Sequence, residues 1–261
     1  EIDEKRAHLL VHQTKRLNSP NIMVTCHEAQ GFPFVRILDD NGSPSYVEFD
    51  RILADVPCSG DGTLRKNMDL WGRWNPCLGI GLHRTQLKIG IRGAHLLKIG
   101  GRMVYSTCSF NPVENEAVVC ELLRLSKGAL ELVDVSDKLP LLKRRSGMRT
   151  WKILDKTQEW YETERDVPNG RKSKVFRSMF PPTEKEANRF HIERCVRIVP
   201  HDQDTGGFFI ALLQKTRKMP RPEDEDKETP QVTEKKEKTG ECPSEVTQEK
   251  EACEEKEKEE K

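Results

Sequence analysis

The sequence predicts an α/β fold on a mostly parallel sheet, closed by an antiparallel strand pair. Three observations carry this. Short apolar, β-prone stretches alternate with amphipathic helical ones through residue 126. Two of these stretches, residues 51–54 and 102–105, run into polar loops that each hold a cysteine, at the sheet edge where α/β proteins bind ligands. Residues 195–200 and 207–213 are β-prone and joined by a short polar loop, which makes them an antiparallel pair.

The elements follow in order. Asp3 caps a helix running to about residue 17, with Ala7, Leu10, Val11, Thr14 and Leu17 as its buried stripe. His8 and His12 stand four apart, but without the Glu of an HExxH motif they are helix-face residues. Asn18-Ser19-Pro20 ends the helix, and residues 22–26 form a buried strand. Residues 35–38 and 46–49 flank a turn containing Asn41-Gly42, a hairpin signal. Residues 51–54 are a third core strand that enters the loop 55–63, shaped by Pro57, Gly60 and Gly62. Arg65, Lys66, Trp71, Arg73 and Trp74 then interleave bases with aromatics. That pattern suits stacking on unpaired bases, and it equally suits a core-packing tryptophan pair. A helix over about 81–98, interrupted by the unfavourable Gly90, crosses back and is broken by Gly100-Gly101. After the strand 102–105, Asn111-Pro112-Val113-Glu114 starts the next helix. Asn111 caps, Pro112 takes the first position, Glu114 completes a capping box, and Val118, Leu122 and Leu125 recur at helical spacing. A strand at 129–135 precedes an irregular basic region, 140–182.

Composition divides the chain. It has 261 residues, 35% hydrophobic and 33% charged, too polar to be globular throughout. Residues 223–261 hold 16 acids and 8 Lys+Arg, a net of −8; the whole chain is +1, which leaves +9 on residues 1–222. The expected organisation is a folded body, 1–218, and a disordered acidic Glu/Lys-rich tail, 219–261. A basic body suits a polyanion, nucleic acid first, and would also suit an acidic protein or an anionic membrane surface. None of the eight cysteines forms a CxxC pair, so neither a zinc ribbon nor a thioredoxin motif is expected, and no metal site. With no signal peptide and no run of about 18 apolar residues, a reducing intracellular compartment with free thiols is expected, and no membrane. Glu1 falls just before a helix, as in a chain cut from something longer.

The chemistry centres on Cys108. It lies between a strand's carboxyl end and a helix start, where helix amides favour a thiolate; the other reading is a small buried residue. If strands 51–54 and 102–105 are neighbours, Cys58, Cys108 and the Asp55 carboxylate converge. That trio has a use. A pyrimidine C5 is not nucleophilic, but a thiolate added at C6 makes it enamine-like and able to take a methyl group. A carboxyl group near N3 and the exocyclic amine holds the ring, a base removes the C5 proton, and the thiol is expelled. Other thiol chemistry is compatible with the same trio.

Asp55-Val56-Pro57-Cys58-Ser59-Gly60-Asp61-Gly62-Thr63 and Ser106-Thr107-Cys108-Ser109-Phe110-Asn111-Pro112-Val113-Glu114-Asn115-Glu116 resemble, in order and spacing, the paired signatures of the Sun-type RNA (cytosine-5) methyltransferases. Leu64-Arg65-Lys66-Asn67, Met179-Phe180-Pro181-Pro182 and Gly206-Gly207-Phe208-Phe209 extend the resemblance to the Misu-type tRNA branch, over about residues 1–220. The resemblance implies a Rossmann-like class I methyltransferase fold, S-adenosylmethionine as methyl donor, and cytosine in RNA, chiefly tRNA, as acceptor. By position it implies Cys108 as nucleophile, Cys58 as the thiol needed for product release, and Asp55 between cofactor and cytosine. Glu1 matches the acid that binds the cofactor ribose and Glu28 an acid near the adenine, each Glu where the family commonly has Asp. Arg65 and Lys66 are the candidate RNA contacts from the interleaved bases and aromatics above. Nuclear or nucleolar residence is implied as well. The family's glycine-rich first motif should precede residue 1, with the first strand and the N-terminal RNA-binding region. Its absence predicts an exposed apolar sheet edge. It also sets a rival beside the enzyme: an inactive RNA-binding fragment with part of the cofactor pocket lost. A third possibility is a protein-interaction module using the acidic tail.

Overall fold

The computed structural model describes residues 1–38, 41–172 and 174–220. Asp39 and Asp40 of the hairpin turn, and the acidic tail from residue 221 onward, lie outside the described residues. Helix α1 spans Glu4–Thr14, with the Asp3 side chain accepting from the Arg6 amide at 2.8 Å. A 3₁₀ turn, Lys15–Leu17, ends it at Asn18 in the left-handed region. The expected stripe is not buried. Ala7 alone of it is, while Leu10 and Val11 are exposed and Leu17 is 69% exposed. Residues 22–26 are also not a buried strand: Met23 is 78% exposed. Among the described residues this stretch meets Glu1, whose amine donates to Thr25 O at 3.3 Å and whose carbonyl accepts from the amide of His27, just beyond it, at 2.8 Å. Apolar character makes a strand only where a longer partner runs alongside.

Strands β1 (Arg36–Leu38) and β2 (Pro44–Tyr46) form the expected antiparallel hairpin, Arg36 opposite Tyr46. Its second arm stops early because Phe49 opens β3, Phe49–Asp55. After the short helix α2 (Leu70–Arg73) comes α3, Cys77–Leu96, and directly after it β4, Leu97–Thr107. Gly100, at φ 82°, does not end the helix; it sits in an irregular stretch of β4, before regular parallel pairing with β3 begins at Arg51 and Arg102. Helix α4 is Glu116–Leu125. It starts later than expected. Asn111 Oδ1 does cap, accepting from the Val113 amide at 3.0 Å, but residues 112–115 form a turn. Glu114 completes no capping box, because its carboxylate is drawn into the protein. Gly90 and Gly93, unfavourable in a helix by propensity, are where α3 meets its neighbours: a Cβ at Gly93 would lie 2.7 Å from Met103 Sδ, and one at Gly90 3.3 Å from Leu122 Cδ2.

The rest comprises β5 (Leu130–Leu132), β6 (Arg145–Ser146), β7 (Ile153–Leu154), β8 (Trp160–Tyr161), α5 (Glu184–Phe190), β9 (Val196–Ile198), α6 (Pro200–Gln203) and β10 (Phe208–Lys215). The main sheet runs β3-β4-β10-β9-β6, with β5 also on β10. Among the described residues β3–β4 is its parallel pair, and β10 is antiparallel to β4, β5 and β9. The α/β class holds, but the sheet is mixed rather than mostly parallel. The expected β9–β10 pair does not hang at one end; β10 lies directly against β4, where Phe209, Ala211 and Leu213 are fully buried. At the other end β3 is the edge strand, and its Leu53 is 71% exposed. The described residues of the region 140–182 form turns, two-residue strands and short 3₁₀ helices, yet they build a second core around Trp151, Ile153, Tyr161 and Met179.

Candidate active site

Parallel pairing sets Asp55 opposite Ser106, and the Ser106 hydroxyl donates to Asp55 Oδ1 at 3.0 Å. Both chains leave the sheet here. Three residues beyond Asp55 is Cys58, two beyond Ser106 is Cys108, and their sulfurs are 3.2 Å apart. The condition set by the sequence, that the two strands be neighbours, is met. The contact separates the thiols chemically. A hydrogen bond from Cys58 lowers the Cys108 pKa to about 7. The same bond, with burial, pushes the Cys58 thiol well up. The negative charge of Asp55 opposes ionisation of Cys108 rather than assisting it. Helix amides are not the main cause of this acidity, since α4 begins only at Glu116. The contact therefore favours ionisation at Cys108 and the neutral thiol at Cys58.

The loops around the pair interlock. The Gly62 amide donates to Cys108 O and the Gly207 amide to Gly62 O, both at 2.8 Å. A Cβ on Gly62 would lie 2.6 Å from Gly207 O, and one on Gly207 would overlap the Phe110 ring. Asp61, buried, accepts from the Phe110 amide at 2.9 Å, and desolvation raises its pKa. Arg197 of β9 donates to Phe110 O at 2.9 Å and pairs with buried Glu116 through Nε at 2.6 Å. Asn115 accepts from the Thr107 hydroxyl at 2.6 Å and donates to Ser109 O at 2.8 Å. The supporting roles of Arg197, Asn115 and Gly207 are not legible from spacing. The paired glycines opening an apolar strand were the one available signal.

The other expected site residues lie in the entry segments. Glu1 Oε1 accepts from the amides of Ile2 and Asp3 at 3.1 and 3.2 Å, and Arg6 stands 3.3 Å from Oε2. The Asp3 amide is the main cause of its lowered pKa. Glu28 is exposed and accepts from Gln30 Nε2 at 2.8 Å; the bond from the His27 amide to Glu1 O brings its segment beside Glu1. Arg65 is exposed and paired with Asp204 at 2.7 Å, and Lys66 is exposed. The tryptophans divide. Trp71 is 68% exposed, whereas the Trp74 indole nitrogen is buried without a partner among the described residues. His8 and His12 are exposed on α1.

A family model described as 16S rRNA methyltransferase RsmB/F matches residues 1–214. The chain belongs to this family. Among RsmB/F-type relatives, a multisite-specific tRNA:(cytosine-C(5))-methyltransferase of Schizosaccharomyces pombe is 51% identical over 82% of this chain and 32% of its own length. The Saccharomyces cerevisiae multisite-specific tRNA:(cytosine-C(5))-methyltransferase is 50% identical over 82% of this chain and 30% of its own. A Drosophila melanogaster tRNA (cytosine(34)-C(5))-methyltransferase is 46% identical over 84% and 30%. The chain thus spans about a third of the length of the curated relatives it matches. Among solved structures, a Pyrococcus horikoshii methyltransferase homolog superposes with TM-score 0.50 at 26% identity, over 82% of this chain and 51% of that one. NSun6 from Pyrococcus horikoshii with SFG, at TM-score 0.52 and 22% identity over 83% and 40%, shares the fold.

Proposed function

We propose that this chain is the catalytic part of an RNA cytosine-5 methyltransferase that acts chiefly on tRNA. The observation that carries the proposal is the 3.2 Å thiol pair with an acidic Cys108, held at the carboxyl ends of two parallel strands. Family membership and the tRNA cytosine specificity of the relatives support it.

In this reading the Cys108 thiolate adds to C6 of a cytosine taken out of any stack. Asp55, exposed at the end of β3, accepts from the exocyclic amine and lies near N3. C5 becomes electron-rich. At release a base takes the C5 proton, the C5–C6 double bond re-forms and the Cys108 sulfur leaves as thiolate, a step for which Cys58 is needed. S-adenosylmethionine, when bound, supplies an electrophilic methyl group on a sulfonium. The residues present fit such a ligand: Glu1, its carboxylate held by backbone amides and kept ionised, would accept from ribose hydroxyls. Glu28 would face the adenine, and Asp55 would lie between cofactor and base. Exposed Arg65 and Lys66 would meet phosphates. Residues 1–218 are then the catalytic body and 219–261 an acidic appendage. Family resemblance favours residence in the nucleus, including the nucleolus, which microscopy of a tagged protein would test; the expected free thiols fit any reducing compartment. Among the described residues no helix is long and apolar enough to cross a membrane.

The test is adduct trapping on tRNA with S-adenosylmethionine in the full-length protein. Cys58→Ala should accumulate a covalent protein–RNA species on denaturing gels, and Cys108→Ala none. An adduct that survives loss of Cys108 overturns the assignment. Salt-sensitive tRNA binding with no adduct in any variant would leave the RNA-binding role instead.

A further inference from the structure

Glu114 is fully buried on the turn leading into α4, and its carboxylate is bonded to both cysteine loops. Oε1 accepts from the Ser59 amide at 2.8 Å and from Gln86 Nε2 at 3.0 Å. Oε2 accepts from the Ser59 hydroxyl at 2.5 Å and the Ser109 hydroxyl at 2.7 Å. Ser59 follows Cys58 in the chain, and Ser109 follows Cys108. Gln86 Nε2 also donates to Pro57 O, just before Cys58, at 2.9 Å. One carboxylate thus holds the residue after each cysteine, and Gln86, bonded to that carboxylate, holds Pro57 on the other side of Cys58.

Gln86 records what this arrangement demands. Its Nε2 meets two acceptors, while its Oε1 is buried with no partner among the described residues. Flipping the amide would set an oxygen against both Pro57 O and the carboxylate, so the orphaned Oε1 follows from the need for donors. Helix α3 leaves the space, since a Cβ on Gly79 would lie 2.9 Å from Glu114 Oε2. A hydrogen bond between sulfurs depends steeply on their separation, and these two sit on loops 50 residues apart in the chain.

We infer that Glu114 is a positioning residue: it sets the Cys58–Cys108 contact by clamping the two loops, without touching the reacting base. The inference rests on reading Cys108 as the nucleophile. A purely electrostatic role would have the opposite signature. The Glu114 charge disfavours ionisation at Cys58, and an anion near any thiol favours its neutral form, so neutralising Glu114 would by charge alone lower a thiol midpoint and never raise it.

The experiment is peptide-resolved alkylation of Cys108 by iodoacetamide, from about pH 5 to 10, in the whole chain. Near-UV circular dichroism monitors folding. Wild-type reactivity should titrate near 7. In Glu114→Gln the midpoint should rise by about one unit or more, slowing alkylation at pH 7 about fivefold. Ser59→Ala keeps the charge and removes one arm of the clamp, so its midpoint should rise too. A folded Glu114→Gln with an unchanged or lowered midpoint overturns the inference. If Glu114→Gln does not fold, Ser59→Ala decides by the same criterion. The readout uses neither RNA nor methyl donor. A raised midpoint without any adduct would keep the clamp and discard the methyltransferase reading; an adduct with an unmoved midpoint would do the reverse.

Discussion

At the scale of single residues, the acidity of Cys108 depends on one hydrogen bond. Its pKa is lowered, so the thiolate is present above about pH 7 and lost below it. Cys58→Ala removes the donor. The Cys108 midpoint should then move up toward the ordinary thiol value near 8.5, slowing iodoacetamide alkylation at pH 7 by about tenfold. An unmoved midpoint would assign the acidity to the loop backbone instead. Glycine matters here through close approach. Gly207→Ala would drive a methyl group into Phe110 and against Gly62, so it should destabilise by about 1–3 kcal/mol in denaturant unfolding. A Gly207→Ala protein as stable as wild type would mean that the loops yield.

At the scale of elements, α4 and α5 are joined by an ion pair that also serves as a cap. Glu186 accepts from the Thr183 amide at 2.9 Å, closing the α5 capping box, and from Arg124 Nε of α4 at 2.8 Å. Arg124 first, then the Thr183 amide, lower its pKa to about 2. The folded value lies below the unfolded one of about 4.3, so this stabilisation is complete above pH 4.3 and is lost as pH falls toward 2. Glu186→Gln should therefore be less stable than wild type at pH 7, with the gap closing over that range in unfolding measured across pH. A gap that does not change with pH would refute the linkage. The contrast with Glu114 is instructive. Both acids sit three residues after a capping residue, yet one caps and the other does not. Around Glu186 the competing donor is an arginine reached without leaving the helix face. Around Glu114 four buried donors outcompete a single amide.

At the scale of the whole molecule, charge is divided along the chain, +9 before residue 223 and −8 from it onward. Binding of tRNA should weaken with salt, and removing residues 223–261 should strengthen it. Changing both Arg65 and Lys66 to Ala should reduce the slope of log K against log salt by about 1.5. A slope left intact would move the phosphate contacts elsewhere, for instance to the basic region 140–182. Arg65 already pairs with Asp204, so engaging RNA means exchanging that partner.

What the sequence determined by itself was local or compositional. The cap at Asp3, the hairpin at Asn41-Gly42, the helix between the cysteine strands and the β9–β10 pair all depend on residues a few positions apart. The two cysteine signatures and the division of charge were equally readable. Tertiary structure decided the rest. Burial of α1 and of residues 22–26 requires partners, and periodicity alone does not provide them. The core of region 140–182 is assembled from turns, which carry no period to detect. The place of β10 beside β4 made the sheet mixed. The 3.2 Å contact between Cys58 and Cys108, and the clamp at Glu114, depend on register and side-chain direction across 50 residues of chain. Strand pairing fixes those quantities, and no local pattern encodes which strands will pair.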